Sequence, residues 1–373
     1  MTGRTFPTRS AGVRWEALGD GLLLHDEVRQ QVHLLGAPGT LVWASCDGQT
    51  LVDDVAVEVA GATGLAVEQV AADLGRHLDH LTVLGLVGRG DLGPGIQLAP
   101  PLRADGDHRA GPFRVLDAAV EVVADDPALL DAARPLLADL IDATPWAPAE
   151  HVEVGLVGRG RAVGVVGRGF DDTLPAGDAA LEALVGQFNR ACTWAAAPLA
   201  LHAGAVQAPD GRVVAVCGPS GSGKSTLVAQ LVADGWRYLT DEALGLRSDL
   251  TTVAYPKPLA LSPASRAAVG LAAGPGLVRV HELHRGAAAA PGDAGPLAAI
   301  VVATYRPGAL EAASLPVEGA VAQVAPNAIN LAPAGQPGLR TLVRALASVP
   351  VIQLDHAGGA AVTRWFADLV RSA

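Results

Sequence analysis

Residues 218–226 read Gly-Pro-Ser-Gly-Ser-Gly-Lys-Ser-Thr, the spacing G-x-x-x-x-G-K-S. Such a loop can hold phosphate. Glycine has no Cβ, so successive backbone N–H groups can converge on one anion without a clash. A helix starting directly after the loop adds the partial positive charge of its N-terminus. Lys224 supplies a compact ammonium for the β- and γ-phosphates of a nucleotide, and the Ser225 hydroxyl suits a ligand of Mg2+. Gly218, Ser220, Gly221, Ser222, Gly223, Lys224, Ser225 and Thr226 are therefore the candidate nucleotide-binding residues, with ATP and Mg2+ as the expected cofactors.

The loop needs a strand before it and a helix after it, and the sequence offers both. Arg212–Cys217 (RVVAVC) is a short apolar run of strand character, and LVAQLVADG is a helical run closed by Gly235. Next comes Trp236-Arg-Tyr-Leu-Thr-Asp241-Glu242, a short strand with an acidic pair at its end. Ligands of open α/β sheets bind outside the carboxyl ends of the strands, which is where this pair falls. In most P-loop proteins the metal-binding acid comes later in the chain; here it follows one strand after the loop. Lysine usage singles out one more residue. Of 27 basic residues only two are lysine, Lys224 and Lys257. An ammonium fits between phosphate oxygens as a point charge where a planar guanidinium does not, so Lys257 is expected to contact the γ-phosphate or the incoming substrate. Arg306, just after the apolar run IVVA, is a further candidate for offsetting transition-state charge.

His202-Ala-Gly-Ala-Val206, the P-loop, the Asp241-Glu242 pair and Tyr255-Pro-Lys-Pro258 together resemble the catalytic domain of HPr kinase/phosphorylase and its relatives. The resemblance covers residues 112–373 and is most specific over 201–263. It implies an α/β P-loop kinase domain that moves the γ-phosphate of ATP to a serine-type hydroxyl. In that family Asp241 matches the base that takes the hydroxyl proton, Glu242 the second acid (metal or water positioning), and His202 the histidine lining the phosphate site. Asp241, Lys224, His202 and Lys257 are thus the expected catalytic residues, with Ser225 and Glu242 on the metal. Two features depart from the family pattern. The pair is Asp-Glu rather than Asp-Asp, and the glycine-rich segment that follows in HPr kinases is missing. Both point to an acceptor other than HPr.

The elements ahead of this domain form a second module. Residues 13–35 alternate apolar and polar types around Gly19-Asp20-Gly21 and Asp26-Glu27, the pattern of a short antiparallel meander. The run is broken at Gly36–Gly39, short helices are expected over 40–47 and 50–60, and 67–84 carries one helical stripe through Val67, Val70, Ala71, Leu74, Leu78 and Leu81. Three strands and three helices outline a winged-helix-like α+β module. Gly12-Val13-Arg14-Trp15, Leu22–Asp26, His33-Leu-Leu, Gly39-Thr40 with Trp43, Asp47-Gly48 and Leu84-Gly-Leu-Val87 resemble PqqD-like domains. That resemblance implies a leader peptide of a ribosomally made precursor as partner, added as a strand to the edge of the meander and seated against the long helix. The expected layout is a PqqD-like domain over 1–92, a Pro/Gly-rich linker over 93–112 and the kinase domain over 113–373. Within that last stretch, FRVLDAAVEVVA reads as strand, DPALLDAARPLLADLID as a helix capped by Asp126, 152–170 as a hairpin and 178–198 as a helix. The implied function is an ATP-dependent kinase of a serine-type hydroxyl on the recruited peptide. An ATP-switched peptide scaffold without phosphotransfer and a kinase of a small-molecule hydroxyl stand as alternatives.

Charge and composition narrow the partners. A net charge of −11 excludes general binding to nucleic acid or an anionic membrane, since both demand a basic field. No apolar run approaches the ~18 residues that cross a bilayer and the N-terminus shows no secretion signal, so the expected location is the cytoplasm. Cys46, Cys192 and Cys217 are isolated and read as small buried hydrophobes. The kinase resemblance allows a homo-oligomer.

Overall fold

The computed structural model describes residues 4–88, 106–168, 170–284 and 286–372. The chain divides into two compact units, Met1–Gln97 and Leu98–Ala373.

In the first unit, β1 (Val13–Leu18), β2 (Gly21–Asp26) and β3 (Gln31–Leu35) form an antiparallel sheet in sequence order. The second turn is built by Asp26, whose Oδ1 accepts from the backbone N–H groups of Val28 (2.9 Å) and Arg29 (3.1 Å). Helix α1 (Ala37–Ser45) begins inside the segment expected to break the run, because Pro38 is tolerated in a first turn, where its missing N–H has no partner to lose. Helices α2 (Val52–Thr63) and α3 (Val67–Val83) follow. The expected stripe of α3 is buried at Val70, Leu74, Leu78 and Leu81, while Val67 stays exposed at the helix start. These side chains close a core around Phe6, Leu24 and Trp43.

The second unit starts earlier than the sequence suggests. Residues 93–105 of the expected linker lie outside the described residues, and 108–112 are already strand. Pro112 and Gly111 hide that strand from periodicity, and the ladder shifts register between Ala110 and Phe113. A mostly antiparallel sheet of order β4-β5-β6-β7-β8 contains β4 (His108–Val115), β5 (Ala118–Ala124), β6 (Glu150–Arg159), β7 (Ala162–Gly167) and β8 (Phe170–Pro175). FRVLDAAVEVVA is thus a hairpin, turned by Leu116 at φ 54°. Helix α4 (Pro127–Leu137), capped by the Asp126 side chain, and helix α5 (Asp178–Trp194) pack on this sheet.

The second sheet of this unit carries the loop. Its elements are β9 (Leu199–His202), β10 (Gly204–Gln207), β11 (Val213–Cys217), α6 (Lys224–Ala233), β12 (Arg237–Thr240), β13 (Ala243–Leu246) and β14 (Thr251–Ala254). After them come β15 (Leu259–Ala260), α7 (Pro263–Ala268), β16 (Leu277–Val278), α8 (Val280–Leu283), β17 (Gly292–Tyr305), β18 (Leu310–Ser314) and α9 (Val317–Val324). Helix α10 (Leu331–Ser348), broken at Gly335, strand β19 (Val351–His356) and helix α11 (Ala360–Ser372) complete the chain. The order β12-β10-β11-β17-β14-β13-β9 has β19 beside β17 and β18 beside β19. Every residue of β11 is buried, as expected of a strand covered on both faces. Strands β17 and β19 run parallel to β11, whereas β10 runs antiparallel to both β11 and β12. The start of β10 and the ends of β11, β12, β17 and β19 therefore share one edge of the sheet. Cys46, Cys192 and Cys217 are unpaired and buried. Among the described residues no helix is long and apolar enough to cross a membrane.

Candidate active site

The loop at the end of β11 has the backbone that its glycines permit. Gly218, Gly221 and Gly223 stand at φ 144°, 80° and 89°. A Cβ on Gly218 would lie 2.6 Å from the Ala303 carbonyl oxygen, so no larger residue fits. Helix α6 starts at Lys224 with no side-chain cap, which leaves its first N–H groups free for an anion. The Ser222 hydroxyl is buried without a partner among the described residues. Lys224 Nζ donates to the carbonyls of Gly218 (2.6 Å) and Pro219 (3.1 Å), folded over the cradle. Burial lowers its pKa, against the opposing fields of Cys217 and Glu242. A buried ammonium, bare helix N–H groups and an unpartnered hydroxyl around glycine backbone are the donor set a polyphosphate requires. Ser220 and Gly221 are exposed on the loop, Ser225 is half-buried on α6, and Thr226 Oγ1 donates to Ser265 Oγ at 2.7 Å.

The acidic pair shares the loop's edge of the sheet, but its two members have different environments. After β12 the Thr240 hydroxyl accepts from the backbone N–H groups of Glu242 and Ala243, both at 3.1 Å, and turns the chain into β13. Asp241 points inward and is 4% exposed. Its Oδ1 accepts from Lys257 Nζ at 2.6 Å and from the Tyr238 hydroxyl at 2.8 Å, and its Oδ2 accepts from the Ala260 N–H at 3.1 Å. Burial first, and then the Asp241 charge, push the Tyr238 phenol well above its ordinary range, so it remains a donor. Lys257 is 1% exposed and also donates to the Pro258 carbonyl. The segment carrying it is anchored from α5, where Asn189 Oδ1 accepts from the Tyr255 hydroxyl at 3.0 Å.

Two of the expected catalytic side chains are therefore held together in one buried pair. Both Asp241 oxygens accept hydrogen bonds and are sealed from solvent, and the Lys257 ammonium donates to Asp241 and to a carbonyl.

Glu242 is the carboxylate that remains accessible, with its side chain 33% exposed. His202 Nδ1 lies 3.1 Å from the Glu242 carbonyl oxygen and 3.4 Å from Oε1. Burial pushes the Glu242 pKa up, but the His202 hydrogen bond and the fields of Lys257, His202 and Lys224 outweigh it, and the net shift is downward. Glu242 thus sits as an ionised carboxylate within electrostatic reach of the P-loop lysine. Arg306 leaves the end of β17 on the other flank, 65% exposed and paired through Nη1 with Asp355 Oδ2 at 2.8 Å.

Sequence reasoning missed Tyr305 and His356, which close the loop's edge beyond β17 and β19. The His356 imidazole would be 3.3 Å from a Cβ on Gly223. It lies more than 130 residues after the motif, and only the parallel pairing of β17 with β19 brings it there. The Tyr at the end of IVVATY was the one available signal.

No protein-family model matches the chain, and no curated protein matches it. Solved structures that resemble parts of it include the following two. TbiB1, in complex with the TbiA(beta) leader peptide, is 19% identical, with a TM-score of 0.21, over 22% of this chain and 99% of its own. The Hpr(Ser) kinase/phosphatase from Coxiella burnetii is 12% identical, with a TM-score of 0.28, over 46% of this chain and 94% of its own.

Proposed function

We propose that the second unit is an ATP-dependent phosphotransferase acting on a serine-type hydroxyl, with Glu242 rather than Asp241 as the group that receives the hydroxyl proton. The observation behind this assignment is the Glu242–His202 pair, the open carboxylate beside the loop and in the field of Lys224. The acceptor oxygen bonds the γ-phosphorus as the bond from that phosphorus to ADP breaks, and the hydroxyl proton passes to Glu242 and then to water. Mg2+ on the Ser225 hydroxyl would neutralise charge on the β- and γ-phosphate oxygens. Lys224 leaves its loop carbonyls for phosphate oxygens, His202 orients the Glu242 carboxylate, and the Asp241–Lys257 pair holds the turn that presents it. A base must be within reach of the proton it takes and ionised at the working pH, and Glu242 satisfies the second condition through its lowered pKa.

The acceptor in this proposal is a precursor peptide held by the first unit. Strand β3 pairs only with β2 among the described residues, which leaves an edge for strand addition. His33 of β3 lies in the field of His80 of α3, so the long helix stands near that edge. Tethering would raise the local concentration of a weakly bound peptide to ~mM. The test is γ-labelled ATP with candidate precursors. The proposal expects a phosphopeptide, a KM that rises when the leader is removed while kcat stays, and loss of transfer with retained ATP binding in Glu242→Gln. ATP binding without any phosphopeptide would favour a nucleotide-switched scaffold.

A further inference from the structure

The edge of the sheet that carries the loop has two flanks, and the acids occupy only one. On the other, beyond the ends of β17 and β19, a cavity of about 280 Å³ adjoins the loop at Gly221, Gly223 and Thr226. Its far walls are Tyr305, His356 and the Ala357-Gly358 turn on one side and the Ala264–Ala268 face of α7 on the other. We propose that this cavity receives the purine base of the nucleotide, with Tyr305 as its stacking platform, so that the protein takes a nucleoside triphosphate rather than a bare polyphosphate. The inference rests on residues 218–226 being a phosphate cradle.

Three observations converge. The first is position: β11 lies between the β10–β12 pair, of which β12 ends at the acids, and the β17–β19 pair, which ends at the cavity. A triphosphate lying across the loop with its γ-phosphate toward Glu242 directs its nucleoside to the opposite flank. The second is an exposed aromatic ring with no core to serve. Tyr305 is 51% exposed, and its one ring contact among the described residues is with the edge of His356, with centroids 6.0 Å apart at 76°. Such a ring offers a face to any base. The third is unused polarity under that ring. His356 is 2% exposed, and its imidazole sits against the Ser222 backbone without a hydrogen bond of ordinary geometry at either nitrogen. Gln230, on the same wall, accepts at its Oε1 from the Gly359 N–H at 3.1 Å. Ligand cavities combine such an apolar face with a few placed polar groups, and ~300 Å³ is the lower end of their sizes.

Calorimetric titration of the full chain with ATP and with inorganic tripolyphosphate, each with Mg2+, tests this. Wild type should bind ATP at least tenfold more tightly than tripolyphosphate. Tyr305→Ala should erase most of that difference by weakening ATP alone, and Tyr305→Trp should keep it. Ala264→Trp, a filling substitution at an exposed position, should block ATP and spare tripolyphosphate. Equal affinity of wild type for the two ligands, or ATP affinity unchanged in both Tyr305→Ala and Ala264→Trp, overturns the nucleoside pocket and leaves the cradle standing. Failure of wild type to bind either ligand overturns the cradle and the pocket with it.

Discussion

Asp241→Asn should be a stability variant before it is a catalytic one. The wild-type carboxylate takes three hydrogen bonds, at 2.6, 2.8 and 3.1 Å, one of them from an ammonium that is itself 1% exposed. An asparagine can accept at one oxygen only. Its amide nitrogen would face either the Ala260 N–H or the Lys257 ammonium, donor against donor, and Lys257 would keep a buried charge with no counter-charge. Removing one partner of a buried pair costs about 3–5 kcal/mol. At ~2–4 °C of melting temperature per kcal/mol, the second unit should melt roughly 6–20 °C below wild type. Lys257→Met should lose a similar amount by stranding the carboxylate. The double variant Asp241→Leu/Lys257→Met should recover only part of the loss, since no charge is left buried but the Tyr238 hydroxyl and the Ala260 N–H lose their acceptor. Glu242→Gln, at a partly exposed site, should change stability by less than about 1 kcal/mol while abolishing phosphotransfer. Thermal melts followed by circular dichroism, run beside the labelled-ATP assay, separate these outcomes. An Asp241→Asn protein that melts like wild type, binds ATP and transfers no phosphate would refute the reasoning and return the base to position 241.

The two lysines should part company in the same assays: Lys224→Met, which removes an ammonium resting on carbonyls, should leave the melting temperature level or raised while ATP affinity in calorimetry falls by two orders of magnitude or more. Gly218→Ala should cost about 1–3 kcal/mol and nucleotide binding together, because a Cβ at φ 144° would press on the Ala303 carbonyl; thermal melts and calorimetry read both losses. The Glu242 pKa is depressed by folding, so its ionisation stabilises the protein above the ordinary value of 4.5 and that contribution fades as the pH drops through the lower folded value. The acid limb of kcat/KM should therefore lie below the usual glutamate range, and in His202→Ala, where the upward push of burial loses its main opponent, a pH profile should show the limb moved upward.

What could be read from the chain was the part encoded locally. A glycine-rich loop between an apolar pentamer and a helix states its own geometry, and the α3 stripe states its buried face. The β4–β5 hairpin escaped because a leucine, not a glycine, takes the left-handed turn at position 116. The start of the second unit escaped because Gly111-Pro112 interrupts a strand that only its partner β5 reveals. At the site itself the hidden information lay between neighbours. Asp241 and Glu242 are one residue apart at a strand end, so one side chain turns into the core and the other outward. Which is which depends on Thr240 capping the turn and on Lys257 arriving from another segment. No spacing rule contains that information.

The two acids stand in different settings, Asp241 in a buried pair with Lys257 and Glu242 in an open pair with His202. Asp241 is held by Tyr238 of the strand before it and by Lys257 and Ala260 from the segment after β14, so three donors from two pieces of chain converge on one carboxylate. That convergence fixes the backbone at 241 and, through the peptide bond, the direction in which Glu242 leaves the turn. Strand β9 contributes the remaining constraint: the Ala203 N–H donates to the Glu242 carbonyl at 3.1 Å, in the same stretch where His202 meets the side chain. An ionised glutamate near a P-loop lysine would otherwise be drawn into a salt bridge with it, closing the cradle to phosphate. Here Lys224 is folded onto the carbonyls of Gly218 and Pro219, and Glu242 is turned to His202, so the two opposite charges influence each other without meeting.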